Sequence, residues 1–118
     1  MQQRTILVSL VAVALAIGFG TASAKGNAAD GKTKSAACAA CHGTDGNGIA
    51  PNYPALAGQY QDYLVQVLHE YKNGQRTNAI MNGMAAPLSD QDIQDLAAHF
   101  SSLPSKLSDL HGKIQGGN

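Results

Sequence analysis

Cys38-Ala39-Ala40-Cys41-His42 constrains this chain more than any other stretch. On a helix the spacing sets two sulfurs one turn apart, with an imidazole directly after the second. Two thioether bonds to the vinyl groups of a haem need sulfurs that are close yet unpaired. The adjoining His42 then falls over the iron as its proximal ligand. Other uses of Cys-x-x-Cys fit less well. A thioredoxin-like redox pair sits at a helix start after a β-strand, and Lys32-Thr33-Lys34-Ser35-Ala36-Ala37 before Cys38 makes no strand. Zinc needs four ligands, and no second cysteine pair or closely spaced histidine pair completes a site. A disulfide across a two-residue gap closes a small, strained ring that stabilises little.

Residues 1–24 read as a secretory signal peptide: Arg4 supplies the positive charge, Ile6 to Phe19 is an almost unbroken apolar run, and Ala22-Ser23-Ala24 is an Ala-x-Ala cleavage site. The mature chain then begins at Lys25. As a membrane anchor the run is short, and no basic cluster follows it. Lys25 to Asn118 suits one small domain, 25–104, with 105–118 as a flexible tail. A domain of this size with no Trp and few large aromatics has a modest core, which a buried apolar cofactor would complete. With Arg4 in the leader, seven of the eight Lys and Arg remain against eight Asp and Glu, a net charge of minus one. That balance points neither to nucleic acid nor to an anionic membrane surface.

Helical signals dominate the mature chain. Asn27 to Ala40 reads as a first helix capped by Asn27, with Gly31 and Ser35 small enough for the last helix to approach closely. Gly43 to Pro54 is a loop, and its glycines are expected to let the backbone lie against the porphyrin edge. A ligating imidazole needs an acceptor for its second N–H, and the carbonyl of Pro54 is the expected one; otherwise Pro54 only shapes the turn. Gln59 to Asn73 is a second helix, with Tyr60, Leu64, Val67, Leu68 and Tyr71 on one face and His69 off it, in solvent. Gln75 to Leu88 reads as an irregular loop bearing Met81 and Met84, one a candidate thioether ligand and the other packing. Spacing alone does not choose between them. A third helix starts at Ser89 with Asp92 as capping-box partner, buries Ile93, Leu96, Ala97, Phe100 and Leu103, and stops before Pro104.

Together these segments resemble a class I cytochrome c of the short bacterial single-haem type, and equally one half of the two-haem periplasmic cytochromes. The resemblance rests on Cys38 to Gly43, Ala50 to Gly58, Met81-Asn82-Gly83-Met84 and Leu88 to Ala98. It implies an all-α fold of three to four helices around one covalently bound haem c. It implies that Cys38 and Cys41 attach the haem, that Pro54 accepts the His42 N–H, and that the first methionine, Met81, is the second axial iron ligand opposite His42. Two positions depart from the family's pattern: relatives often carry an aromatic residue in place of His99 and of Ser35.

The expected function is that of a soluble periplasmic carrier of single electrons, not an enzyme. With His42 and a methionine on the iron, no position stays open for oxygen or peroxide, and the thioether favours Fe(II). Electrons would cross a haem edge flanked by Ala39, Ala40, Gly46, Asn47, Ile49 and Ala50, an uncharged patch suited to brief encounters. The expected partners are redox proteins such as membrane cytochrome complexes, terminal oxidases or reductases, with no nucleic acid and no stable membrane insertion after signal cleavage. Three alternatives stand beside this: a haem c subunit docked on a respiratory oxidoreductase, a haem enzyme or haem-based gas sensor, and a cofactor-free thiol oxidoreductase. Should the sixth ligand not be a methionine, His69, His99 and His111 are the remaining candidates.

Overall fold

The computed structural model describes residues 25–106; the leader and most of the expected tail lie outside the described residues. Asn27 opens helix α1 (Ala28–Lys34), its side-chain oxygen accepting from the N–H groups of Ala29 and Asp30 at 2.9 and 3.3 Å. The helix expected to run on to Ala40 breaks at Ser35. There the hydroxyl donates to the Lys32 carbonyl at 2.8 Å, the local competition with the backbone ladder that serine favours. Helix α2 (Ala36–His42) starts afresh and ends on the histidine. Helix α3 (Gln61–Asn73) stops at Gly74, whose φ of 80° is left-handed.

The stretch expected to be an irregular loop holds a further helix, α4 (Ala79–Ala85). Asn78 caps it, accepting from the N–H groups of Ile80 and Met81 at 3.1 and 3.0 Å. Helix α5 (Asp90–Ser102) has the expected capping box: the Asp92 N–H donates to Ser89 Oγ at 3.1 Å and the Ser89 N–H to the Asp92 carboxylate at 2.9 Å. The regular structure among the described residues is thus all helical, in five helices where three to four were expected, because Ser35 divides the first and α4 is added.

Helix α5 is the axis of the domain. On one side α1 crosses it backbone to backbone: a Cβ on Gly31 would lie 1.9 Å from the Asp95 carbonyl oxygen. This is the close approach expected of a small residue there. The seam is locked by Asp95, whose side chain is 3% exposed. Its carboxylate accepts from the Asn27 N–H at 2.8 Å, from Lys34 Nζ at 2.7 Å and from Gln91 Nε2 at 2.8 Å. The backbone N–H and the lysine together hold its pKa below the usual carboxylate range. On the other side α3 lays Leu64 and Leu68 against Leu96, Ala97 and Phe100, with Cys38, Leu56, Leu88 and Leu103 closing the cluster.

The segment from Gly43 to Tyr60 ties these parts together. Gly48 and Ile49 donate to the carbonyls of His42 and Cys41 at 2.7 and 3.1 Å, Leu56 and Ala57 to that of Gly46, and Gly58 to that of Phe100. Orphan carbonyls at the end of α2 are satisfied in this way, and the loop is sewn to α5. The chain stays anchored just past the expected domain boundary. The Lys106 N–H donates to Asn47 Oδ1 at 2.8 Å and its ammonium pairs with Asp45 at 3.0 Å.

Candidate functional site

Helix α2 delivers three reactive side chains in five residues. Cys38 and Cys41 are free thiols, both half-buried, one turn apart on the same helix. Cys38 leans on the core cluster, and burial pushes its thiol pKa up. A redox-active Cys-x-x-Cys pair needs the opposite, a thiol lowered into the neutral range. Among the described residues no group of three or more His, Cys, Asp and Glu could hold a metal ion, so the zinc alternative finds no ligands there.

His42 closes the helix at 6% exposure. Its Nδ1 lies 2.8 Å from the Pro54 carbonyl oxygen. A carbonyl can only accept, so Nδ1 carries a proton, and in the neutral ring it is Nε2 that keeps the lone pair. That is the tautomer a metal-ligating histidine needs, with the ring oriented from behind. The loop's glycines are also needed by the protein's own packing. A Cβ on Gly48 would lie 2.4 Å from the Tyr53 carbonyl oxygen, and one on Gly46 would meet Phe100, Leu103 and Ala57 at 3.1–3.2 Å. Both have positive φ, 77° and 71°. The loop's own folding and its seat on α5 therefore already require them.

Met81 is half-buried on α4, while Met84, three residues on, is 36% exposed. The other two described histidines are occupied elsewhere. His69 faces the Asp90 carboxylate at 3.9 Å, and His99 is buried where α1 crosses α5, its ring 5.0 Å from that of Phe100. His99 thus fills this crossing with a flat ring. His111 lies outside the described residues. Ala40 and Ile49 are exposed beside Cys41, and Ala39 and Ala50 partly so, whereas Gly46 is buried and leaves the expected surface patch.

Comparison with known proteins decides among chemistries that share this motif. The cytochrome c family model matches residues 28–104. The chain belongs to the cytochrome c family. Cytochrome c4 of Pseudomonas aeruginosa is 51% identical over 94 residues, covering 79% of this chain and 47% of that protein. Cytochrome c-554(548) of Halomonas halodenitrificans is 51% identical over 80 residues, covering 65% of this chain and 96% of that protein. The crystal structure of reduced recombinant cytochrome c4 from Pseudomonas stutzeri superposes with a TM-score of 0.66 at 46% identity, over 70% of this chain and 48% of that one. The chain spans about half the length of the cytochrome c4 relatives it matches and nearly all of the shorter cytochrome.

A cytochrome c carries covalently bound haem c, and the residues present fit that group. Two unpaired thiols stand one turn apart on α2, and the imidazole after them has its distal nitrogen free. Two features of the site escaped sequence reasoning. Asn47 bridges the loop to the end of the chain, accepting from the Lys106 N–H and donating to the Pro104 carbonyl at 3.3 Å. Asn82 ties α4 to the end of α3. The pair Asn78 and Asn82, one helical turn apart, was the signal available for the second.

Proposed function

We propose that this cytochrome c domain is an exported carrier of single electrons between larger redox proteins, and not an enzyme. Cys38 and Cys41 would form the thioethers to a haem c, and His42 Nε2 and the Met81 sulfur would hold its iron. Haem, when bound, supplies a one-electron Fe(III)/Fe(II) couple that imidazole and thioether ligation draws toward the reduced side. The observation that carries this reading is the 2.8 Å contact between His42 Nδ1 and the Pro54 oxygen. It presents one nitrogen outward and fixes the ring's orientation before any ligand arrives.

The remaining features agree with a carrier. With His42 and Met81 both holding the iron, no position on it would be left for a substrate or a gas. Ala40 and Ile49 offer an uncharged, exposed patch beside the attachment helix, suited to short-lived contact. No helix of the described residues is long and apolar enough to cross a membrane. The Arg4 to Ala24 leader supports export and release at Lys25, hence a periplasmic place of work. An absorption spectrum of the purified reduced protein tests the reading. A covalent haem c with a low-spin, carbon-monoxide-inert iron is expected. Ready binding of carbon monoxide would favour a sensor, and co-purification in fixed ratio with an oxidoreductase would favour a docked subunit.

A further inference from the structure

Helix α4 carries the proposed distal ligand yet has little hydrophobic hold. It is seven residues long, far below the length at which an isolated helix persists in water. Only Ala85 is fully buried; Ile80 is 63% exposed, and Gly83 weakens the helix without touching a neighbour.

What fastens α4 is the side-chain amide of Asn82. Its Nδ2 donates to the Tyr71 carbonyl at 2.6 Å and to the Arg76 carbonyl at 2.8 Å, while its Oδ1 accepts from the Asn78 N–H at 2.7 Å. Tyr71 lies in the last turn of α3, where carbonyls lack intrahelical partners. One amide therefore joins three segments: the end of α3, the connection after Gly74, and α4 itself. Both amide hydrogens and the oxygen are engaged, so no other residue type of this length serves all three bonds. Met81 is the adjoining residue, so any slip or rotation of α4 that breaks these bonds displaces its sulfur.

We propose that Asn82 is the positioning residue of the distal ligand, clamping α4 to the end of α3 and so holding the Met81 thioether at the iron. This rests on the reading of Met81 as that ligand. Aspartate has nearly the same shape but presents only acceptors to the two carbonyls, so Asn82→Asp removes the clamp. Asn82→Ala, which puts no charge beside the carbonyls, is a second variant expected to act in the same direction.

The test follows cyanide binding to the purified ferric holoprotein, with thermal stability measured alongside. Asn82→Asp or Asn82→Ala is expected to speed cyanide entry about tenfold or more, the effect of losing two to three hydrogen bonds. Met81→Ala is expected to be faster still, and adding Asn82→Ala to it to change nothing further, because the sulfur is already gone. Gly83→Ala added to Asn82→Ala is expected to return helix stability but not slow cyanide entry. Parental cyanide kinetics in both Asn82 variants overturn the proposal and leave the Met81 reading intact. So does slow entry restored by Gly83→Ala, since Asn82 would then act only on helix stability. Parental kinetics in Met81→Ala overturn the ligand assignment, and this proposal with it.

Discussion

Adding one methyl group at Gly31 and the same group at Gly83 is expected to move stability in opposite directions. Both glycines are helical and neither has positive φ, so both substitutions gain helix propensity of about 1 kcal/mol at most. At Gly83 nothing lies within 4 Å of the new Cβ. At Gly31 the new Cβ meets the Asp95 carbonyl oxygen at 1.9 Å and the His99 Cβ at 2.8 Å. Neither atom can rotate away, since one is backbone and the other is the first carbon of a buried side chain. To reach ordinary contact at 3.4 Å, α1 must withdraw from α5 by about 1.5 Å. That withdrawal stretches the 2.8 Å bond from the Asn27 N–H to Asp95 and the 2.7 Å contact of Lys34 with the same carboxylate. Overpacking of this severity costs about 3 kcal/mol, so the net loss for Gly31→Ala is about 2 kcal/mol. In a domain of this size that lowers the melting temperature by roughly 8–16 °C, while Gly83→Ala raises it by a few degrees. Thermal melts of the two holoproteins followed by far-ultraviolet circular dichroism measure both shifts. A Gly31→Ala variant as stable as its parent would refute the backbone-to-backbone crossing on which the fold's long axis depends.

Met84 is partly exposed, so Met84→Ala is expected to cost about 1 kcal/mol or less, below the usual price of truncating a buried methionine, and to retain the weak long-wavelength absorption of sulfur on Fe(III). Loss of that band in Met84→Ala and its retention in Met81→Ala would exchange the two roles. Pro54→Ala keeps the carbonyl but frees the loop, so it is expected to shift the reduction potential while leaving haem covalently bound; an unchanged potential and stability would reduce Pro54 to a turn former. Burial, assisted by the nearby Lys32 charge, holds the pKa of His99 below its ordinary 6.5. The unfolded chain then takes up the proton first, so His99 favours folding above pH 6.5 and loses that contribution as pH falls below it. Replacing it by Phe should flatten this part of a denaturation profile, and an equal slope in both proteins would remove His99 as its source.

The parts legible in the sequence were those set by neighbours along the chain. Cys38, Cys41 and His42 follow from helical spacing, and the Ser89 and Asp92 capping box, the Asn27 cap and the Gly74 stop each depend on residues within one turn. The apolar stripes of α3 and α5 were readable for the same reason. Gly31 announced a close helix neighbour because an absent side chain is visible in sequence. Pro54 could be named as acceptor because a ligating histidine must have one, although the bond spans twelve positions.

Tertiary structure alone decided the rest. The break at Ser35 turns on its burial: withdrawn from solvent by the packing of the domain, the hydroxyl takes the Lys32 carbonyl instead. Helix α4 has Gly83 inside it and Pro87 just after, so its local signal is that of a loop, and it exists through Asn82 reaching back to Tyr71 and Arg76. Asp95 reads as one more polar residue of an amphipathic helix, yet it is buried because Asn27 and Lys34, more than sixty positions away, bring it hydrogen-bond partners. Periodicity records which face of a helix turns inward. It does not record which distant donor makes a charge tolerable there, and burial of a charge is settled by that donor.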